Sequence, residues 1–338
     1  MKFALFSLAG ATAFAVVLFA SPAAAPAQPA AGAITVYNAQ HASLTKAWAE
    51  AFTRATGITL TIRNGDDTEL ANQLAQEGAA SPADVFLTEN SPAMALVDRA
   101  RLLAPLPADL LAQVPEGFRP SSGRWVAIAA RSTVFAYNKS MLKPDELPKS
   151  LMDLADPKWK GRWAASPGAD FQAIASALLE LRGAPATLAW LKAMKTNATI
   201  YRGNGAALKA VNAGEIPGAL IYHYYWFGDQ ANTGENSGNA ALYYFRKQDP
   251  GAFVSMSGGG VLASSKHQVQ AIAFIKWITG KGGQDILRTG TSFEYAVGNA
   301  AHSNPKLVPL ADLQAPKIDP THLNSKQVTD LMTQAGLL

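Results

Sequence analysis

Apolar residues recur along this chain with two alternating periods, and that alternation predicts a fold before any single residue does. Ile34–Asn38 reads as a strand. Leu44, Trp48, Ala51 and Phe52 then share one face of a helix that runs to Thr56 and stops at Gly57. Ile58–Ile62 alternates apolar and polar positions, as a strand does. Asp67 or Thr68 is placed to cap a helix through Leu70 and Leu74 that ends at Gly78. Ala83–Leu87 is a third strand, and Ser91-Pro92 opens a third helix, proline suiting its first turn. Trp125–Tyr137 is β-prone and longer than an ordinary strand, so it is expected to cross between two lobes. Further strands are predicted over 162–165, 199–201, 219–222, 241–245 and 253–256. Further helices are predicted over 170–182, 185–195, 205–214, 268–279 and 327–334.

Stacked βαβ units of this kind imply an α/β fold with a mostly parallel sheet. Here they form two halves, joined by a β connection near 130 and a return near 250. Ligands of such folds bind outside the carboxyl ends of the strands. With two lobes that place is the cleft between them, closed by hinge motion.

The first residues change the picture of where the chain works. Met1-Lys2 is a short basic start, Phe3–Ala20 is apolar, and Ser21–Ala27 is a run of small residues and proline. This is the three-part pattern of a secretory signal, with Ala25 and Ala27 setting cleavage after residue 27. A membrane anchor is the competing reading; the Ala/Gly/Ser content and the Ala-rich exit argue against it. No later segment is long and apolar enough to span a bilayer, so a soluble periplasmic protein without stable membrane insertion is expected. The 338 residues contain no cysteine, which excludes disulfides, thiolate metal sites and a cysteine nucleophile. Net charge is +4, from 29 basic and 25 acidic residues scattered along the chain, so no basic stripe points to nucleic acid.

Candidate chemistry collects at three strand ends: Asn38-Ala-Gln-His41, Thr88-Glu89-Asn90 and Tyr222-His-Tyr-Tyr-Trp-Phe227. One imidazole (His41), one carboxylate (Glu89) and two phenolates (Tyr224 and Tyr225) sum to a charge of −3. That sum neutralises a trivalent cation, and a hard ion prefers anionic oxygen. A free phenol has a pKa near 10, so the metal must displace its proton. Adjacent residues of a regular strand point to opposite faces. Both tyrosines therefore reach one ion only if the strand ends before them, in a turn or at a helix start.

Each piece also has an ordinary structural role. His41 at a strand end can be a capping histidine, Glu89 a solvated carboxylate at a helix N-terminus, and Tyr222–Phe227 a packed aromatic run. Taken alone, the residues leave open a binding protein for a small organic or anionic solute that uses Asn38, Asn204 and the aromatics. An exported enzyme finds less support. There is no G-x-S-x-G elbow and no H-E-x-x-H, and Gly280–Gly283 lacks the spacing of a phosphate-binding loop. Gly258-Gly259-Gly260 reads as close backbone packing.

Several ordered segments over almost the whole mature chain resemble the bacterial periplasmic ferric-ion-binding proteins, also called bacterial transferrins. They are Ile34–His41, Pro82–Glu89, Pro157–Gly161, Ile216–Ile221 followed by Tyr224-Tyr-Trp226, Gln248–Ala252 and Ser257-Gly258. The resemblance implies a type II periplasmic-binding fold with two lobes, a hinge and an interlobe cleft. It implies Fe(III) as cargo, held by His41, Glu89, Tyr224 and Tyr225, and delivery to the inner-membrane permease of an ABC-type importer. It also implies a binding protein that is not an enzyme and acts as a monomer. The expected divisions are a signal peptide over 1–27, an N-terminal lobe of 28–130 plus 252–305, and a C-terminal lobe of 131–251 plus 306–338.

Members of the family often complete the iron shell with phosphate or carbonate. Asn204, Gly168, Ala169, Asn90 and Tyr222 occupy the corresponding anion positions. Three residues depart from the family pattern: Pro167 stands where a serine is usual, Tyr222 for asparagine and Asn90 for glutamine. These departures alter the anion pocket and make Tyr222 a candidate third phenolate.

Overall fold

The computed structural model describes residues 32–338; the expected signal peptide, residues 1–27, lies outside the described residues. Strand β1 (Ala33–Asn38) leads into helix α1 (Ala42–Thr56), which ends on Gly57 in the left-handed conformation, φ 76°. Strand β2 (Thr59–Asn64) lies at the edge and keeps the alternating exposure its sequence predicts. Helix α2 (Asp67–Glu77) differs in one detail from the sequence expectation. Its cap is Asp66, whose side chain accepts from the backbone of Thr68 and Glu69. Asp67 is thereby free for another task, described below.

Strand β3 (Val85–Leu87) and helix α3 (Ser91–Arg99) follow, then the short helix α4 (Ala108–Leu111) and the 14-residue strand β4 (Trp125–Asn138). Strand β5 (Trp163–Ala165) precedes the helical span α5 (Ala169–Asn197). Gly183, at φ 77°, breaks that span where the sequence predicts two helices. Next come β6 (Ala198–Ile200), α6 (Asn204–Ala213), β7 (Gly218–Tyr222) and α7 (His223–Asn232). After β8 (Ala240–Tyr243), strand β9 (Val254–Val261) extends well past the four residues expected, through all three glycines. Helices α8 (Gln268–Thr279), α9 (Lys281–Thr289) and α10 (Ser325–Ala335) close the chain. The sequence reading missed α4 and α9; α9 opens on the Lys-Gly-Gly stretch it considered only as a phosphate loop.

The strands are ordered β2-β1-β3-β9-β4-β7-β5-β6, with β8 pairing on β4. β1, β2 and β3 run parallel, and so do β5, β6 and β7. The antiparallel strands β4 and β9 join the two sets. β4 changes partner in mid-strand: Trp125–Ser132 pairs with β9, and Thr133–Tyr137 with β7. One strand therefore belongs to both halves, the type II solute-binding arrangement.

β9 runs through the densest packing. A Cβ on Gly258 would come within 2.9 Å of Met94, one on Gly259 within 2.8 Å of Ile128, and one on Gly260 within 3.0 Å of Leu103. Close backbone packing is what these glycines provide. Ser255 and Ser257 point to one face of β9 and bond to Asn90 and to Arg131, Gln40 and Glu294. Val254 and Met256 point to the other face, toward a cavity of about 970 Å³ that is also lined by Phe118, Arg119, Leu310 and Ile318. That cavity lies across the strand from the polar cluster around Ser255 and Ser257.

Candidate metal centre

The two tyrosines meet the geometric requirement set by their adjacency. β7 ends at Tyr222, which stands at the N-cap position of α7, so Tyr224 and Tyr225 lie in a first helical turn. Their rings stack, with centroids 4.4 Å apart and planes inclined at 30°. Both hydroxyls converge on one carboxylate oxygen, Oδ2 of Asp170: Tyr225 donates at 3.1 Å and Tyr224 at 3.3 Å. Tyr224 donates also to Oε1 of Glu89 at 2.8 Å.

His41 and Glu89 come from the other set of strands. His41 follows β1 and sits at the start of α1, but its side chain does not cap the helix. Its Nε2 lies 3.2 Å from Glu89 Oε1, its Nδ1 3.6 Å from Glu294 Oε2, and its ring meets that of Tyr224 edge-on at 4.8 Å. Glu89 follows β3. Its backbone N–H and that of Asn90 both donate to the carboxylate of Asp67, at 2.9 Å each. Asp67 thus holds the turn that presents Glu89. All four residues expected as metal ligands therefore lie in one cluster.

The residues expected around an anion are also here, around Asp170. Asn90 Nδ2 donates to Asp170 Oδ1 at 3.1 Å and Asn204 Nδ2 donates to Oδ2 at 2.8 Å. Tyr222 is fully buried, and its hydroxyl donates to Asn90 Oδ1 at 3.3 Å and to the Asp170 carbonyl at 3.4 Å. Gly168 and Ala169 form the N-terminus of α5, with Gly168 at the cap and Asp170 in the first turn.

Sequence reading passed over Asp170, Arg131, Glu294 and Asp67 as site residues. Arg131 is wholly buried on β4. It donates to the Glu89 carbonyl, to Ser257 Oγ at 2.6 Å and to Glu294 Oε1, and lies 3.4 Å from the Glu89 carboxylate. A signal existed: a charged residue inside an apolar strand, or between Phe293 and Tyr295 as Glu294 is, needs a buried partner.

The electrostatics follow from this packing. Burial works to raise Glu89, but the Arg131 charge, then His41 and Tyr224, outweigh it and hold the carboxyl down at about 2. Burial first, and the Glu89 charge second, push Asp170 above the ordinary carboxyl range. Burial followed by the Asp170 and Glu89 charges moves the Tyr224 phenol well above 10. Burial and Asp170 likewise raise Tyr225. Burial opposes a charge on His41, yet Glu294 and Glu89 outweigh it and lift the ring above its usual value. Within the cluster the phenol protons bridge to carboxylates. Among the described residues no three His, Asp or Glu side chains form a metal cradle by themselves. The phenols are what would complete one.

The sequence pattern described as "Bacterial extracellular solute-binding protein" matches residues 47–301. The chain is 70% identical over 306 residues to the Fe(3+)-binding periplasmic protein of Serratia marcescens, covering 90% of each. It is 40% identical over 316 residues to the major ferric iron-binding protein of Neisseria gonorrhoeae, covering 92% of this chain and 95% of that one. The crystal structure of iron-bound HitA from Pseudomonas aeruginosa superposes with a TM-score of 0.84 at 40% identity, over 90% of this chain and 99% of the other.

Proposed function

This chain belongs to the bacterial extracellular solute-binding proteins, among their periplasmic ferric-ion-binding members, and from that premise we propose that it captures Fe(III) through paired tyrosinates and hands it to an inner-membrane ABC permease. One observation carries the reading: two phenol hydroxyls from one helical turn converge with the carboxyls of Glu89 and Asp170. A hard trivalent ion is matched by that donor set, and an organic solute has no evident use for it. The relatives at 70% and 40% identity are named for ferric iron, which favours this over the organic-solute alternative. Their names describe binding proteins, consistent with a carrier and not a catalyst.

In this reading His41 and Glu89 come from an N-terminal lobe of 28–130 plus 252–305. Tyr224 and Tyr225 come from a C-terminal lobe of 131–251 plus 306–338. Iron bridges the lobes and biases closure, because it gains its full ligand set only in the closed form. The carrier works as a monomer in the periplasm; among the described residues no helix is long and apolar enough to cross a membrane. Titrating metal-free protein with ferric citrate tests the proposal. A visible tyrosinate-to-iron charge-transfer band should grow and saturate at one ion per chain. A colourless titration end point would sink it.

Asp170 stands in the altered anion pocket. Its carboxyl already takes the amide donors of Asn90 and Asn204 that an external phosphate or carbonate would use. We assign it the anion's place and a direct part in the iron shell, so Fe(III) should bind in buffers free of both anions. Asp170→Asn should lower affinity by more than the about 10–100-fold that loss of a partner outside the shell costs. Added phosphate or carbonate should restore part of that loss. Unchanged affinity in the variant without anion would remove Asp170 from the shell.

A further inference from the structure

Glu294 is fully buried, and its two carboxylate oxygens are treated differently. Oε1 accepts from Gln40 Nε2 at 3.1 Å, from Ser257 Oγ at 3.3 Å and from the Arg131 guanidinium. Oε2 accepts no hydrogen bond among the described residues, which is uncommon for a buried carboxylate oxygen. It stands 3.6 Å from Nδ1 of His41, just beyond hydrogen-bond range. The segment that carries it is fixed to β4 through the bridge between Ala130 and Tyr295. Gln40 ties the same parts together, because its Oε1 accepts the backbone N–H of His41 at 2.6 Å.

His41 therefore has a carboxylate at each ring nitrogen, Glu294 at Nδ1 and Glu89 at Nε2. Turning the ring over would set carbon atoms against both, so the two carboxylates define its orientation. We propose that Glu294 is a positioning residue for iron capture: it holds the proton of His41 on Nδ1, leaving the Nε2 lone pair to face the ion. The inference rests on the ligand set proposed above and adds a residue that does not itself touch iron. Metal-binding histidines commonly donate their second ring N–H to a carboxylate in this way, which fixes the tautomer and makes the ligating nitrogen more basic.

Glu294→Gln should invert the arrangement. Three donors converge on the Oε1 position, so the amide oxygen stays there and the amide NH2 faces His41. A donor at Nδ1 forces the ring proton onto Nε2, where it blocks the metal. A carboxylate-to-amide change behind a catalytic histidine has this tautomer effect.

The test begins with the wild-type protein loaded with Ga(III), a closed-shell stand-in for Fe(III), and ring 15N NMR. Five histidines are present, and His41→Ala identifies the His41 signals by their loss. Metal on Nε2 with the proton on Nδ1 is expected; metal on Nδ1, or no metal on His41, overturns the proposal. In Fe(III) competition titrations, Glu294→Gln should lose affinity about 10–100-fold. In a His41→Ala background it should cost nothing more. An equal loss in both backgrounds would mean general damage to the Arg131 cluster and would overturn the role. If Glu294→Gln does not fold, the wild-type spectrum decides alone. The Tyr224 and Tyr225 variants below do not involve Glu294, so failure of the iron reading itself would show there instead.

Discussion

With Tyr224 and Tyr225 both replaced by phenylalanine, the protein is expected to stay colourless in ferric citrate and to lose at least about 10³-fold in Fe(III) affinity. Loss of a single supporting partner outside the metal shell costs about 10–100-fold, and this variant removes two anionic ligands from inside it. The remaining donors would be His41, Glu89 and Asp170, with a charge of −2 against a trivalent ion. The single variants should be unequal. Tyr224 reaches both carboxyls, Glu89 at 2.8 Å and Asp170 at 3.3 Å, whereas Tyr225 reaches Asp170 alone. Tyr224→Phe should therefore be the more damaging. Visible absorption and competition against citrate measure these effects, and circular dichroism checks that the fold survives. A double variant that still turns orange-red would end the tyrosinate reading.

Acid should release iron steeply, by about 100-fold in affinity for each pH unit. The sign and the slope follow from the phenols. Burial and the neighbouring carboxyls raise both above 10, so in the empty protein both are protonated at neutral pH. Iron binds the phenolates and must expel two protons. Mass action then makes the logarithm of affinity rise by two for each unit of pH and fall by two in acid. Glu89 adds nothing over most of this range, because at about 2 it is already ionised. Asp170 and His41 are both shifted upward and add further protons where they are protonated in the empty form, making the slope steeper in acid. Competition against a chelator of known proton stoichiometry, repeated across pH, gives the number directly. A slope of one or less would exclude the pair of tyrosinates.

The sequence carries most of the frame and part of the site, and the division has physical causes. α1 and β2 were legible because one buries a stripe and the other a face, and so each shows its period, whereas β1 and β3 lie inside the sheet and show as short apolar runs. Tyr224 and Tyr225 were legible as a pair because adjacency demanded a strand end, and α7 begins at His223. Asp170 was hidden because an acid in the first turn of a helix has a sufficient local reason to be there. Its role appears only when α5, α6, α7 and the loop after β3 converge on it. Asp66 and Asp67 were hidden from each other: side by side in sequence, one caps α2 and the other crosses to the turn that carries Glu89. Arg131 and Glu294 are 163 residues apart and pair only because β4 and the segment after α9 are laid together.

The three glycines of β9 bear on how such a protein can drift in sequence. Any substitution there adds a side chain, and Met94, Ile128 and Leu103 already fill the space that its Cβ would need. Overfilling a packed core in this way costs about 1–3 kcal/mol. Those neighbours lie on α3, on β4 and in the loop beyond α3, so a tolerated change would need accommodating changes in separate elements at once. The donors around Asp170 are restricted by pairing instead of by space: Tyr222 is fully buried, and Asn90 bonds to Asp67, Asp170, Tyr222 and Ser255. Selection is therefore constrained on both sides of this seam, by volume along the strand and by hydrogen-bond pairing in the cluster beside it.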